Sequence, residues 1–177
     1  LFKVILKYYK ITFNMNGICV ITSQNANSKS KRKIYGVIHL EKKGTRVHIH
    51  GEVKGLKKGK HGFHIHEFGD RTNGCESMGA HFDRGGNTHG GRYDDKRHAG
   101  DLGNLTCRSG VIKETFYLSV SKHRLSLRYE SPNCVLGRGI VLHSSKDDCG
   151  KGDNEESLIT GNSGARIACG VIALARG

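Results

Sequence analysis

The sequence predicts an all-β domain, and three observations carry that prediction. Val and Ile occur in short runs, and no long run has helical period. Twenty-five glycines stand against one proline, which means many turns and little rigid linker. Two long stretches have no sustained period at all and read as extended loops. A chain of 177 residues suits one domain of ordinary size. Trp is absent and aromatics are few, so the core is expected to be mostly aliphatic.

Residues 1–16 read as an appended amino-terminal segment, and residues 17–177 as the domain; Met15 is a candidate true start. The first strand is "GICVI" (17–21), followed by a polar loop, "NANSKSKRK". "IYGVIHL" (34–40) and "TRVHIHGEV" (45–53) form a hairpin around "EKKG", and "HGFHIHE" (61–67) is the next strand. A segment from Phe68 to about Gly103 then runs without period and is rich in Gly, His and Asp. Loops that long inside a compact domain are uncommon and usually functional. Strands resume at "LTCR", "VIKETFYLSV", "RLSLRYE" and "RGIVLH". A second irregular segment, Ser144 to about Ala165, precedes the last strand, "RIACGVIALA". The count is about eight short strands and two long loops.

The formal charge is +13, and its placement is uneven. Residues 1–60 hold 14 Lys/Arg against two acids, Glu41 and Glu52, whereas residues 61–177 hold 15 against 14. The densest basic run is "SKSKRK" (28–33), which reads as a solvated loop or as an attachment to a polyanion such as nucleic acid. No stretch approaches the roughly 18 apolar residues of a membrane span. Lys3, Lys7 and Lys10 interrupt the apolar start, so no signal peptide is expected and the protein is placed in the cytoplasm. Six cysteines, with no CxxC pair, suggest one selected bridge plus free thiols.

The histidines sort by position. His64 and His66, in "GFHIHEFGD", share one face of a strand while Ile65 faces the other. That spacing alone fits a solvent face as well as a metal site. The first long loop, however, adds His81, His89, His98 and Asp101, and His143 ends a later strand. Concentrated this way, the set argues for metal. Imidazole suits both zinc and copper. Three histidines and an aspartate can close a tetrahedral zinc site. Four histidines suit the tetragonal preference of Cu(II). The second H-x-H, His48 and His50, has no ligand-rich loop nearby and reads as an exposed strand face, as does His39; His61 reads as a packing residue. Cys19 reads as a buried thiol, and Cys107 and Cys134 as exposed ones.

"GKHGFHIHEFGD", "GCESMGAHFD", "THGG", "RHAGDLGN", "VLHSSKDD" and "TGNSGARIACGVI" together resemble the copper/zinc superoxide dismutase family, in family order and spacing, from about Gly17 to Arg176. The resemblance implies an eight-stranded Greek-key β-barrel or sandwich with a metal-binding, disulfide-bearing loop and an electrostatic loop. It implies one copper ion held by His64, His66, His81 and His143, and one zinc ion held by His81, His89, His98 and Asp101, with His81 bridging. Asp147 would orient ligands of both metals. Arg166 would attract the anionic substrate, and Cys75 and Cys169 would form a disulfide. Superoxide would be disproportionated to oxygen and hydrogen peroxide by Cu(II)/Cu(I) cycling, with a proton carried by His81. A homodimer and loading by a copper chaperone would follow as well.

The intact ligand positions argue against the alternative, a non-catalytic relative that binds or delivers copper. A polyanion-anchored variant, held by residues 28–33, is compatible with either. Cys149 and Ile159 depart from the family pattern, as does the ending "VIALARG", which lies in the segment that contributes to the dimer contact.

Overall fold

A computed structural model describes residues 15–24, 33–119 and 125–176. Residues 1–14 of the segment read as appended lie outside these, as do residues 28–32 of the basic run. Eight strands are present among the described residues: β1 (Asn16–Ser23), β2 (Tyr35–Lys43), β3 (Arg46–Lys54), β4 (Gly59–His66), β5 (Asp101–Cys107), β6 (Val111–Ser119), β7 (Gly139–His143) and β8 (Arg166–Ala175).

All strand pairings are antiparallel, in the order β5-β4-β7-β8-β1-β2-β3-β6. β5 and β6 at the two ends of that order also touch, so the sheet rolls into a nearly closed barrel. β3 lies between β2 and β6, while β4 lies between β5 and β7. The chain therefore crosses the barrel between β3 and β4, as a Greek key requires. The expected fold class holds.

Alternation explains the core. Gly36, Ile38 and Leu40 of β2 and Val47, Ile49 and Val53 of β3 are buried, while the residues between them point outward. Phe63, Ile65, Leu102, Leu105, Ile140, Leu142 and Ile172 fill the same cluster from other strands. β4 differs: His64 and His66 on its outer side are as buried as Ile65 on its inner side, because the long loops cover them. Those loops, between β4 and β5 and between β7 and β8, were both legible from their lack of period.

Four expectations need correction. "RLSLRYE" does not join the sheet; from Leu125 onward it makes only an isolated bridge, Ser126 with Cys134. Its backbone bonds go to the chain just downstream, Ser126 N–H to Asn133 O and Val135 N–H to Ser126 O, although Leu125 and Leu127 are buried. β5 starts at Asp101 rather than at "LTCR", since pairing with β4 (His64 opposite Asp101) extends it through residues whose side chains show no strand pattern. Cys107 is buried, not exposed. The hairpin is also tighter than "EKKG" suggested: Lys43 pairs with Arg46, and Gly44 turns the chain at φ 60°.

Candidate metal centre

β4 supplies His64 and His66, the loop after it supplies His81, His89 and His98, β5 opens with Asp101, and β7 ends with His143. Two groups form. One ring nitrogen each from His64, His66, His81 and His143 lie within 4.8 Å of one another, and so do donor atoms of His81, His89, His98 and Asp101. His81 belongs to both. The structure thus brings together every histidine and carboxylate that the sequence singled out as a metal ligand.

Four of the six rings, His64, His66, His89 and His143, are aimed by a bond at the other nitrogen. His66 Nδ1–H donates to Gly79 O at 2.9 Å, and His143 Nδ1–H to Gly164 O at 3.0 Å. His64 Nε2–H and His89 Nε2–H both donate to the Asp147 carboxylate, at 2.9 and 2.8 Å. What remains is a convergent set of buried nitrogens with no hydrogen-bond partner: His64 Nδ1, His66 Nε2, His81 Nε2 and His143 Nε2. Leaving buried polar atoms unpaired costs about 1–3 kcal/mol each. Four of them meeting at one point fit a cation that accepts imidazole lone pairs.

The second group is organised around Asp101. Its Oδ2 accepts the backbone N–H of Gly90 (3.0 Å) and of His98 (2.8 Å). Oδ1 is left facing three Nδ1 atoms: His81 at 2.9 Å, His89 at 3.0 Å and His98 at 3.3 Å. Burial by itself would raise the Asp101 pKa, but the three imidazoles outweigh it and hold the carboxyl well below the usual carboxylate range. Three nitrogens and one carboxylate oxygen are a zinc-type donor set.

Protonation differs between the groups. Burial lowers His64 and His66 well below an ordinary histidine and brings His143 down to about 4. Burial would also lower His89, but bonds to Asp101 and Asp147 overcome it and raise His89 to about 9.

A funnel of about 360 Å³ opens onto the first group, lined by His66, His81, His143, Glu156, Ile159 and Arg166 among others. Arg166 is fixed there by donating from Nη1 to Cys75 O (2.8 Å) and from Nη2 to Gly79 O (2.7 Å). Cys75 and Cys169 form a disulfide, joining the first long loop to β8. His61 has the packing role expected: its Nδ1 lies 2.8 Å from His143 O.

Two residues escaped the sequence reading. Asn104 holds Asp147 from both sides, accepting its N–H and donating to its carbonyl, each at 2.8 Å. Arg97 is buried and its Nη1 donates to the carbonyls of His98, Ala99 and Asp101. The only available signal was their position beside the ligands in "RHAGDLGN". Gly161 carries a backbone requirement: at φ 67° it passes so close to Asp147 and His89 that a Cβ would strike both.

A Greek-key β-barrel whose two long loops enclose adjoining histidine and histidine–aspartate clusters, one ring shared, defines a class of protein able to hold two neighbouring metal ions. A profile of the family described as "Copper/zinc superoxide dismutase (SODC)" matches residues 34–172, and the chain belongs to that family of oxidoreductases. Among similar proteins, "Superoxide dismutase [Cu-Zn]" of Onchocerca volvulus is 47% identical over 146 residues, 80% of this chain and 89% of that protein. "Superoxide dismutase [Cu-Zn] 5" of Dictyostelium discoideum is 42% identical over 164 residues, 92% of this chain and 99% of its own. "Extracellular superoxide dismutase [Cu-Zn]" of Brugia pahangi is 42% identical over 167 residues, 93% of this chain and 78% of its own. That last relative overturns the cytoplasmic placement. The placement rested on interrupted apolar character in a short leading segment, and a fold closed by a disulfide is equally at home in an oxidising compartment.

Proposed function

We propose that this chain disproportionates superoxide, with copper held by His64, His66, His81 and His143 and zinc held by His81, His89, His98 and Asp101. The observation that carries the assignment is the set of four buried, unpartnered imidazole nitrogens beside a three-nitrogen, one-oxygen cluster, with His81 facing both. When bound, copper supplies a one-electron couple and zinc a fixed charge without redox chemistry.

The chain's own residues do the rest. Arg166 presents a guanidinium, held by Cys75 O and Gly79 O, to an anion entering the funnel. His66 and His143 form the wall beside it, and Ile159 adds apolar surface at the mouth. His81 Nε2, buried and at the funnel's base, is the atom placed to take a proton and return it to reduced substrate. The balance is two superoxide anions and two protons giving one oxygen and one hydrogen peroxide. Asp147 keeps His64 and His89 in the tautomer that leaves Nδ1 available.

The same reading includes a homodimer and loading by a copper chaperone. Val20 of β1 and Leu174 of β8 stand 46% and 54% exposed, which supports a dimer contact near the chain's ending. Attachment to a polyanion through residues 28–33 falls almost wholly outside the described residues. The test is metal content by mass spectrometry together with a superoxide assay. One copper and one zinc per chain with rapid disproportionation is expected. Activity no greater than that of free copper at equal concentration overturns the reading.

A further inference from the structure

Away from the metal centre, the outer face of the β2–β3 hairpin gathers a second set of donors. In the register of the hairpin His39 lies opposite His50 and Glu41 opposite His48, so all four side chains share one face. That face is half-buried rather than exposed, contrary to the sequence reading of "VHIHG". The ligand missing in that reading is Glu41, which sequence distance hid and cross-strand pairing supplies.

We propose that Glu41, His48 and His50 form a further metal site that takes a borderline divalent cation of the zinc class. One ligand atom from each lies within 4.8 Å of the others. Glu41 Oε1 is 3.4 Å from His50 Nε2, and Glu41 Oε2 is 3.7 Å from His48 Nδ1. Two ligands on one tetrahedral zinc ion stand about 3.4 Å apart at ordinary Zn–N and Zn–O lengths. Two imidazoles and a carboxylate leave the fourth position to water. The His48 and His50 rings stack at 4.6 Å, and His39 stacks on His50 at 5.0 Å from the other strand, limiting the rotation of His50.

Lys43 is the competitor. Its ammonium sits 2.8 Å from Glu41 Oε2 and is 58% exposed. An exposed pair of this kind contributes at most about 1 kcal/mol and yields to a dication held by three ligands. That pair is made by Oε2, whereas Oε1 is the oxygen nearer His50. Lys43 and His50 also hold the carboxyl down, at about 2, so it is ionised throughout the neutral range. The site shares no residue with the metal centre and does not rest on the superoxide reading.

The experiment starts from protein already carrying its full complement of copper and zinc. Zinc is titrated into it by calorimetry, and the ions retained are counted by native mass spectrometry. One additional zinc per chain is expected. His48→Gln, His50→Gln and Glu41→Gln should each weaken its binding by about 10-fold or more, at least the loss seen when mere outer-sphere partners are removed. Lys43→Gln should tighten it. Disproportionation of superoxide should be unchanged in all four, which also reports correct folding. Glu41→Gln keeps the test decisive should a histidine variant fold poorly, since it leaves the apolar side of both strands untouched. No uptake beyond the full complement, or uptake that ignores Glu41→Gln, overturns the proposal.

Discussion

Asp147 and Asn104 clasp each other beside the two histidine clusters of the candidate metal centre. Asn104 accepts the Asp147 N–H and donates to its carbonyl, and the carboxylate so fixed reaches His64 with one oxygen and His89 with the other. One acid therefore sets the tautomer of a ring in each metal group. Replacing Asp147 with Ala should lower affinity for both metals by about 10–100-fold, zinc and copper alike. Metal retention under graded chelator measures this. Unchanged retention of zinc would show that His89 needs no orienting partner.

Arg166 depends on the first long loop for its place. Gly79 O accepts from both His66 Nδ1 and Arg166 Nη2, so one carbonyl aims a ring of the first group and the cation beside it. Arg166→Gln should reduce kcat/KM by about 10-fold or more and flatten its dependence on ionic strength, because attraction of an anion into a charged cleft is what salt screens. Metal content should stay at the wild-type level. Arg166→Lys should recover part of the rate, since an ammonium keeps the charge but lacks the fork that holds two carbonyls at once. Stopped-flow assays over a salt series distinguish these outcomes; loss of copper in the Gln variant would instead make Arg166 a structural residue.

Much of the fold and of the candidate site is legible in the sequence. Periodicity marked β1 to β4, β6 and β8, because those strands carry an aliphatic face that alternation exposes. It failed at Asp101–Gly103, where β5 is built from a carboxylate and a positive-φ glycine and only pairing with β4 makes it a strand. It failed again at Leu125–Leu127, where apolar and polar residues alternate without a sheet and Ser126 is buried along with both leucines. Every metal-ligand candidate was legible as residue type plus family motif. The family motif also marked Asp147 as the residue that orients ligands, but not its clasp by Asn104: the two lie 43 residues apart, and nothing local in either stretch announces the other.

The two metal groups should differ in proton release. Metals bind neutral imidazole, so a protonated ligand must first lose its proton. His89 stands at about 9 in the metal-free chain, raised by Asp101 and Asp147 against the effect of burial. His64, His66 and His143 are all lowered, chiefly by burial. The sign follows directly. A raised histidine stabilises the metal-free fold below about pH 6.5, and that contribution is lost as pH climbs toward about 9. Zinc affinity should therefore rise by close to about 10-fold per pH unit between 7 and 9, while copper uptake by the other group stays flat in that window. Calorimetry in buffers of different ionisation enthalpy counts the protons. Equal release on binding either metal would contradict the assignment of the charge to His89.

The disulfide makes both stability and catalysis depend on one bond. Cys75 and Cys169 are fully buried and close a loop of 94 residues in sequence separation. By chain entropy such a bridge stabilises the fold by about 4–5 kcal/mol. Cys75 also offers its carbonyl to Arg166, and Gly79, four residues on, serves both Arg166 and His66. Loosening the loop should thus disturb the guanidinium and a ring of the first group together. Cys75→Ser is expected to lower stability to denaturant by several kcal/mol and to reduce kcat/KM, with a smaller effect on zinc than on copper retention. The asymmetry has a geometric basis: His81, His89 and His98 are held by Asp101 at the start of β5, whereas His66 is held by the disulfide-bearing loop itself. Equal loss of both metals in the folded variant would show that the loop supports the two groups as one unit.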